Sequence, residues 1–256
     1  MKKTFPLERK DQILDLISRK GRITIDELIE KFKVSGATIR RDLEFLEHQG
    51  LITRAHGGAM SKSRVSLEPN FFEEKEKFLE EKERIGEEAT KLIEEGEVIF
   101  LEASTTVLQL ARNLKNRRNL TVVTNSLDIA KELDGKEEIS LIITGGSPRR
   151  RTRALIGPLT EATLSQMRID KAFMGVSALD PIYGMTAPTL EEAQTRKKIV
   201  KASNKIIILS DHSKFGKQNF ACVDSLQSID ILITDRGISE EMKVEIERLG
   251  VEVRTV

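Results

Sequence analysis

The sequence of 256 residues has no tryptophan, one tyrosine and one cysteine. A lone cysteine, Cys222, excludes an intramolecular disulfide and a four-cysteine zinc site. Its simplest use is as a small, semi-buried hydrophobe. No apolar run approaches the roughly 18 residues of a membrane span. The opening residues, MKKTFPLERKDQ, carry two lysines with no apolar run behind them, so no signal peptide is expected there. Charge of either sign is not in excess either: the formal net charge is +1, which by itself names no partner. What is present, 39% hydrophobic and 32% charged residues, suffices for a packed core and excludes a wholly disordered chain. These features together predict a soluble cytoplasmic protein that is not associated with a membrane.

The charge is unevenly placed. Residues 1–60 hold 12 Lys/Arg against 9 Asp/Glu, and residues 61–256 hold 30 against 32. A small basic head on a mildly acidic body permits nucleic-acid binding without requiring it. The head, 1–60, reads as helices with short connections. Ile13, Leu16 and Ile17 form one apolar stripe, and Gly21 stops that helix. Thr24 with Glu27 forms a capping-box pattern for the next helix, which carries Ile25, Leu28, Ile29 and Phe32. A third helix is expected from about Gly36 to His48, then a short strand Leu51–Arg54 turning at Gly57-Gly58. The polar stretch 61–70, SKSRVSLEPN, reads as a linker, and the connection is drawn over 61–75. From Phe71 to Glu97 runs a heavily charged helical stretch with one apolar stripe, its charges most simply a solvated face.

Beyond Gly96, and within a second domain drawn over 76–256, apolar strand runs alternate with helical segments. The runs are 98–101, 121–124, 141–144, 172–176, 206–209, 231–234 and 251–256. Helical patterns lie near 106–114, 126–133, 158–168, 190–202 and 239–249. The fold class is α/β: a small winged helix-turn-helix domain followed by an α/β sandwich with a mostly parallel sheet.

Two helices joined by a very short turn and followed by a strand and turn describe a winged helix-turn-helix. On a helical wheel Ile39, Leu43 and Leu46 share one side and face the core. Arg41, Ala37, Glu44 and His48 face outward, with Thr38 and Arg40 at the flanks. An outward Arg41 near the start of such a helix can fork onto a guanine, while Arg40 meets a phosphate. Ser35 at the cap leaves backbone N–H groups for a phosphate.

The run Val34–Ala59, VSGATIRRDLEFLEHQGLITRAHGGA, resembles the DNA-binding head of the DeoR family of bacterial transcriptional regulators. It carries Val-Ser, Thr-Ile-Arg-Arg-Asp-Leu, Leu-Glu-x-x-Gly and His-Gly-Gly in family order. The resemblance implies operator DNA as a partner, contacted by Ser35, Ala37, Thr38, Arg40 and Arg41, with His56 reaching the backbone from the wing. His56 reads equally well as a turn residue before two glycines.

In the body, small polar residues collect after several strands: Glu102-Ala-Ser-Thr-Thr106, Asn125-Ser126, Gly145-Gly146-Ser147 and Ser210-Asp211-His-Ser-Lys214. Carboxyl ends of strands are where open α/β sheets bind ligands. Hydroxyls of Ser104, Thr105 and Thr106, backbone amides and Lys214 suit an anion. Each also has a plainer use: Ser104–Thr106 as a helix cap, Gly145-Gly146 as a turn, Thr189 and Glu192 as a capping box, Lys214 as a solvated lysine. No Walker or GxGxxG spacing occurs, so no nucleotide site is indicated, and neither a cofactor nor a metal is expected.

The resemblance extends through this part, on Glu102–Thr106, Thr124-Asn125, Gly145-Gly146, Gly184-Met-Thr186, Glu192-Ala193 and Asp211–Phe215. It implies a sensor domain resembling the ribose-5-phosphate isomerase fold and a phosphorylated sugar effector. The effector residues it implies are Glu102, Ser104, Thr105, Thr106, Asn125, Gly145, Gly146, Glu192, Asp211 and Lys214. Glu102 stands where the family usually has Asp. The basic run Arg149–Arg151 with Arg153 reads as a solvated loop. The expectation is a repressor of sugar-metabolism genes, paired two-fold on DNA as a homo-oligomer, a dimer or tetramer. The alternative is a sugar-phosphate isomerase with an added DNA module, with Glu102, Glu192 and Asp211 available as acid or base. No nucleophile–base pair stands at useful spacing, so no catalytic residue is assigned.

Overall fold

The computed structural model describes residues 9–10, 12–14, 16–17, 22–48, 52–55, 57–61, 71–116 and 118–256. The chain divides into two compact units, Met1–Arg64 and Val65–Val256.

In the first unit, strand β1 (Arg22–Thr24) runs into helix α1 (Ile25–Phe32), then helix α2 (Gly36–His48) and the strands β2 (Ile52–Ala55) and β3 (Gly58–Ser61). Thr24 caps α1 as the sequence predicts: its hydroxyl accepts from the Glu27 N–H at 3.2 Å, and the Glu27 carboxylate accepts from the Thr24 N–H at 2.8 Å. Lys33 ends α1 in the left-handed region, leaving only Val34 and Ser35 before α2. Ile13, Ile17, Leu28, Ile39, Leu43, Leu46 and Ile52 close a small core. Each such side chain contributes about 1.5–3 kcal/mol on burial.

The strands form an antiparallel sheet in the order β1-β3-β2. β1 is absent from the sequence reading, which stops at Gly21 and resumes at the Thr24 cap. The two wing glycines have separate uses. Gly57 takes φ +85°, and a β-carbon on Gly58 would collide with the Ile23 carbonyl oxygen on β1.

The second unit is built on a seven-stranded parallel sheet. Its members are β4 (Val98–Leu101), β5 (Leu120–Thr124), β6 (Ile139–Ile143), β9 (Ile169–Gly175), β12 (Ser203–Leu209), β14 (Ile231–Thr234) and β15 (Glu252–Thr255). Their spatial order is β15-β14-β12-β9-β4-β5-β6. The seven apolar runs of the sequence supply these seven strands. Period two then sorts each strand between two faces. Ile99 and Leu101 pack with helices α4 (Leu79–Thr90), α5 (Thr105–Arg112) and α6 (Leu127–Leu133). Phe100 packs on the other face with α7 (Pro158–Ser165), α8 (Leu190–Ala202) and α9 (Glu240–Arg248).

Three departures follow from packing. A second, antiparallel sheet joins β10 (Ala178–Asp180), β11 (Gly184–Ala187) and β13 (Ala221–Asp224), and a short pair joins β7 (Ser147–Pro148) to β8 (Leu155–Ile156). On β13, Ala221 and Val223 point inward, so Cys222 is exposed rather than semi-buried. The segment before residue 76 belongs to the body: helix α3 (Phe71–Glu76) buries Phe71 in the core beside Ile85 and Leu108, and the Phe71 N–H donates to the Arg151 carbonyl at 2.8 Å.

Candidate functional site

On the head, Ala37, Arg40 and Arg41 are exposed along one side of α2, while Ile39, Asp42, Leu43 and Leu46 are buried. Ser35 caps the helix: its hydroxyl accepts from the Thr38 N–H at 3.2 Å and lies 2.9 Å from the Thr38 hydroxyl. Asp42 is unavailable to DNA because it is buried against Arg9, with Nε 2.6 Å from Oδ2. Glu44 and Glu47 are turned toward Arg54 on β2, and Glu47 accepts the Arg54 N–H at 3.1 Å. Asp42 is thus buried, and Glu44 and Glu47 are partly offset by Arg54, so the exposed Arg40 and Arg41 can meet a polyanion. His56 lies outside the described residues.

In the body, an open cleft with a cavity volume of about 90 Å³ lies at the carboxyl ends of β4, β9 and β12. These three strands are adjacent and central, so their trailing loops converge. β4 contributes Ser104, Thr105 and Thr106, β9 contributes Val176 and Ser177, and β12 contributes Ser210, Asp211 and Lys214. Glu192 and Arg196 enter from α8, and Phe71 and Glu74 from α3.

Ser104 serves both of its readings: its side chain caps α5 by accepting the Thr106 N–H at 3.2 Å, and it lines the cleft. The first turn of α5 directs its amides the same way, a field that favours an anion. A β-carbon on Gly175 would run into the Ser104 hydroxyl, so this approach of β9 to the loop requires glycine.

Glu102 and Asn125 stand behind this loop and brace it. Buried Glu102 accepts the Gly175 N–H at 2.9 Å and the Arg196 Nε–H at 2.6 Å. Burial pushes the Glu102 carboxyl up, against the pull of the Arg196 charge. The Asn125 side chain accepts the Ala103 N–H at 3.0 Å and donates to the Leu155 carbonyl at 3.3 Å. Gly145 and Gly146 do not line the cleft. Both take positive φ, and the Thr160 hydroxyl donates to the Gly145 carbonyl at 2.6 Å, so they shape the turn after the edge strand β6.

Only half of the Thr189 capping box forms: the Thr189 hydroxyl accepts the Glu192 N–H at 3.3 Å, while the Glu192 carboxylate turns to the cleft and Arg149, 3.8 Å away. The basic run is therefore not wholly solvated. Arg149 also meets Glu191 at 3.3 Å, and Arg153 pairs with Asp128 at 2.5 Å. Lys214 is not a free surface lysine either, since its ammonium donates to the Glu74 carboxylate. Burial tends to raise the Glu74 carboxyl, but the Lys214 hydrogen bond and charge, helped by Lys77, bring it down to about 2.

Motif reading misses Arg196 and Glu74, which line the cleft, and Lys82, whose ammonium holds the Glu74 carbonyl. Arg196 has a signal, since it lies one helical turn after Glu192 and so on the same face. Its Nη1 is buried with no hydrogen-bond partner. Lys82 is 1% exposed, and its ammonium donates to the carbonyls of Glu74 and, at 2.7 Å, Lys77. Burial lowers its pKa, with Asp211 nearby opposing. Among the described residues no cluster of His, Cys, Asp or Glu could hold a metal ion, and no helix is long and apolar enough to cross a membrane.

Both units match known families. Residues 9–65 match the DeoR-like helix-turn-helix domain, and residues 77–236 match the DeoR C terminal sensor domain. The chain belongs to the DeoR family. Among its relatives, the HTH-type transcriptional regulator GlpR of Haloferax volcanii is 38% identical over 97% of both chains. The glycerol-3-phosphate regulon repressor of Escherichia coli K12 is 36% identical, over 89% of this chain and 90% of that one. The putative aga operon transcriptional repressor of Escherichia coli O157:H7 is 31% identical, over 96% and 92%. A DeoR-family member with such relatives is a DNA-binding transcriptional regulator and not an enzyme. Among solved structures, a D-ribose-5-phosphate isomerase in complex with phospho-erythronic acid aligns at TM-score 0.39 and 21% identity over 54% of each chain, too slight a likeness to carry an argument.

Proposed function

We propose that this regulator is a cytoplasmic repressor of sugar-metabolism genes. It binds its operator as a homo-oligomer through α2 and the wing, and loosens when a phosphorylated sugar or polyol fills the body cleft. Arg41 reads a base, while Arg40 with the Ser35 end of α2 holds phosphates. In the cleft the effector's phosphate faces Ser104–Thr106 and Lys214, and its hydroxyls face Glu192, Asp211 and Arg196. Glu102 and Asn125 position the loop and make no ligand contact of their own. The observation that carries this assignment is the convergence of an α5 N-terminus, three hydroxyl side chains, Lys214 and Arg196 in one cleft. A relative named for the glycerol-3-phosphate regulon supports a small phosphate ester as effector.

The test is an operator titration with and without a panel of phosphorylated sugars and polyols, on parent and Lys214→Ala proteins. An effector that binds the body should weaken operator affinity by about 1–3 kcal/mol, and operator should weaken effector binding equally. Lys214→Ala should keep operator binding and lose the response. An ester that binds yet leaves operator affinity unchanged overturns the coupling.

A further inference from the structure

The Lys214 ammonium that would meet a phosphate is already held by a carboxylate, that of Glu74. Two cations, Arg196 and Lys214, face three carboxylates, Glu74, Glu192 and Asp211. Glu192 is met by Arg149 and Asp211 lies near the buried ammonium of Lys82, so these two acids are already offset, and a phosphate entering the cleft competes with Glu74 for Lys214. Glu192 is anchored on the long helix α8, and Asp211 is buried at the end of β12, accepting the Ser213 N–H at 3.0 Å. Arg196 is already held by Glu102 at 2.6 Å. Lys214 is thus the cation a ligand can claim, and the acid it holds belongs to the six-residue helix α3.

Helix α3 is built as a strap. Phe71 fixes its start in the core, and Lys82 ties the carbonyls at its end. Between α3 and α4, Phe78 takes φ +52°, a strained conformation for a bulky side chain. Its ring stands edge-on to His212, 4.7 Å between centroids, in the same 3-10 turn that carries Lys214. The strap therefore meets one turn twice, through Glu74 on Lys214 and through Phe78 on His212.

We propose that Glu74 is the specificity-determining residue of the sensor: its carboxylate occupies the anion position at Lys214, and only a ligand bearing a competing anion displaces it and frees α3. This rests on the proposed phosphate site and adds how that site selects. A neutral sugar offers no charge to exchange for Glu74, whereas a phosphate replaces one anion by another at Lys214.

The experiment measures inorganic phosphate binding to the full chain by calorimetry, and hydrogen exchange over residues 71–78 with and without phosphate. Glu74→Gln should bind phosphate about tenfold more tightly than the parent, as removal of a competing partly buried charge does. Glu74→Asp, one methylene short of Lys214, should move in the same direction by less, and serves if the Gln variant does not fold. Ribitol, the neutral probe, should gain nothing from either change. In the parent, phosphate should raise exchange over 71–78, the reverse of the protection that ordinary ligand contact brings. Equal phosphate affinity in parent and Glu74 variants, or increased protection of 71–78, overturns the displacement while leaving the phosphate site in place. Phosphate binding that survives Lys214→Met at full strength overturns the site itself, and this inference with it.

Discussion

Arg196 Nε lies 2.6 Å from Glu102 Oε1, tying helix α8 to the end of the central strand β4 with both side chains shielded from solvent. Removing one member leaves the other charge buried and unmatched, a loss of about 3–5 kcal/mol. Glu102→Ala and Arg196→Met should each lower the urea midpoint of the body strongly. The double variant should lose less than the two single losses added together. Strictly additive losses would show that the two residues do not act as a pair.

The Glu74 carboxyl gives the body an acid sensitivity. Its pKa falls from 4.5 to about 2 on folding, so the ionised form is favoured in the folded chain. Its contribution is fully present above pH 4.5 and fades as pH falls toward 2. After allowance for partial solvent screening it amounts to about 1–3 kcal/mol. Melting temperatures of parent and Glu74→Gln should therefore differ at pH 6 and converge near pH 2. A gap of constant size across that range would exclude this origin.

The two exposed arginines of α2 should separate by readout. Arg41→Ala should cost about 1–3 kcal/mol and blur operator preference, whereas Arg40→Ala should weaken all DNA alike and flatten the salt dependence. A salt titration on specific and random duplexes decides it. Parent-like binding by both variants would falsify the assignment.

Gly175 tests the close approach of β9 to the effector loop. Its added β-carbon would occupy the space of the Ser104 hydroxyl. Gly175→Ala should destabilise the body by about 1–3 kcal/mol through overpacking. It should also weaken phosphate-ester binding by displacing the α5 cap. Unchanged stability would mean that the loop can retreat freely.

A fragment beginning at Val65 should fold alone, since residues 65–256 form a compact unit with their own core. It should unfold in one cooperative transition and keep effector affinity. Beginning it at residue 78 instead should lose Phe71 and Glu74 and with them some of that stability. A molten product from the longer fragment would show that the head contributes to the core.

The sheet is legible in the sequence because its strands are short apolar runs such as Ile206–Leu209, buried on both faces and separated by helical periods. The antiparallel sheet is not, because Gly184–Ala187 and Ala221–Asp224 are four residues each and pair across a long interval. Ser104–Thr106, Glu192, Asp211 and Lys214 are legible as a group because polar residues after central strands must converge. Gly145 and Gly146 carry the same signature but follow β6, the edge of the sheet, and the sequence gives no strand order from which to exclude them. Glu74 and Lys82 look like any other charges of a solvated helix. Glu74 meets a partner 140 residues away, which no local pattern encodes.

The strand order also dictates when the body can be completed during synthesis. β4 is the first strand of the seven-stranded sheet to emerge from the ribosome, yet it lies inside the sheet, with Ile99 paired to both Val122 on β5 and Lys171 on β9. The β4–β5–β6 half can assemble early, but its inner edge stays open until residues 169–175 are made. An open edge on an apolar central strand invites pairing with another chain. The pairing partner of that edge, β9, follows β4 by about seventy residues in the chain, so the sheet cannot close until most of the body is made.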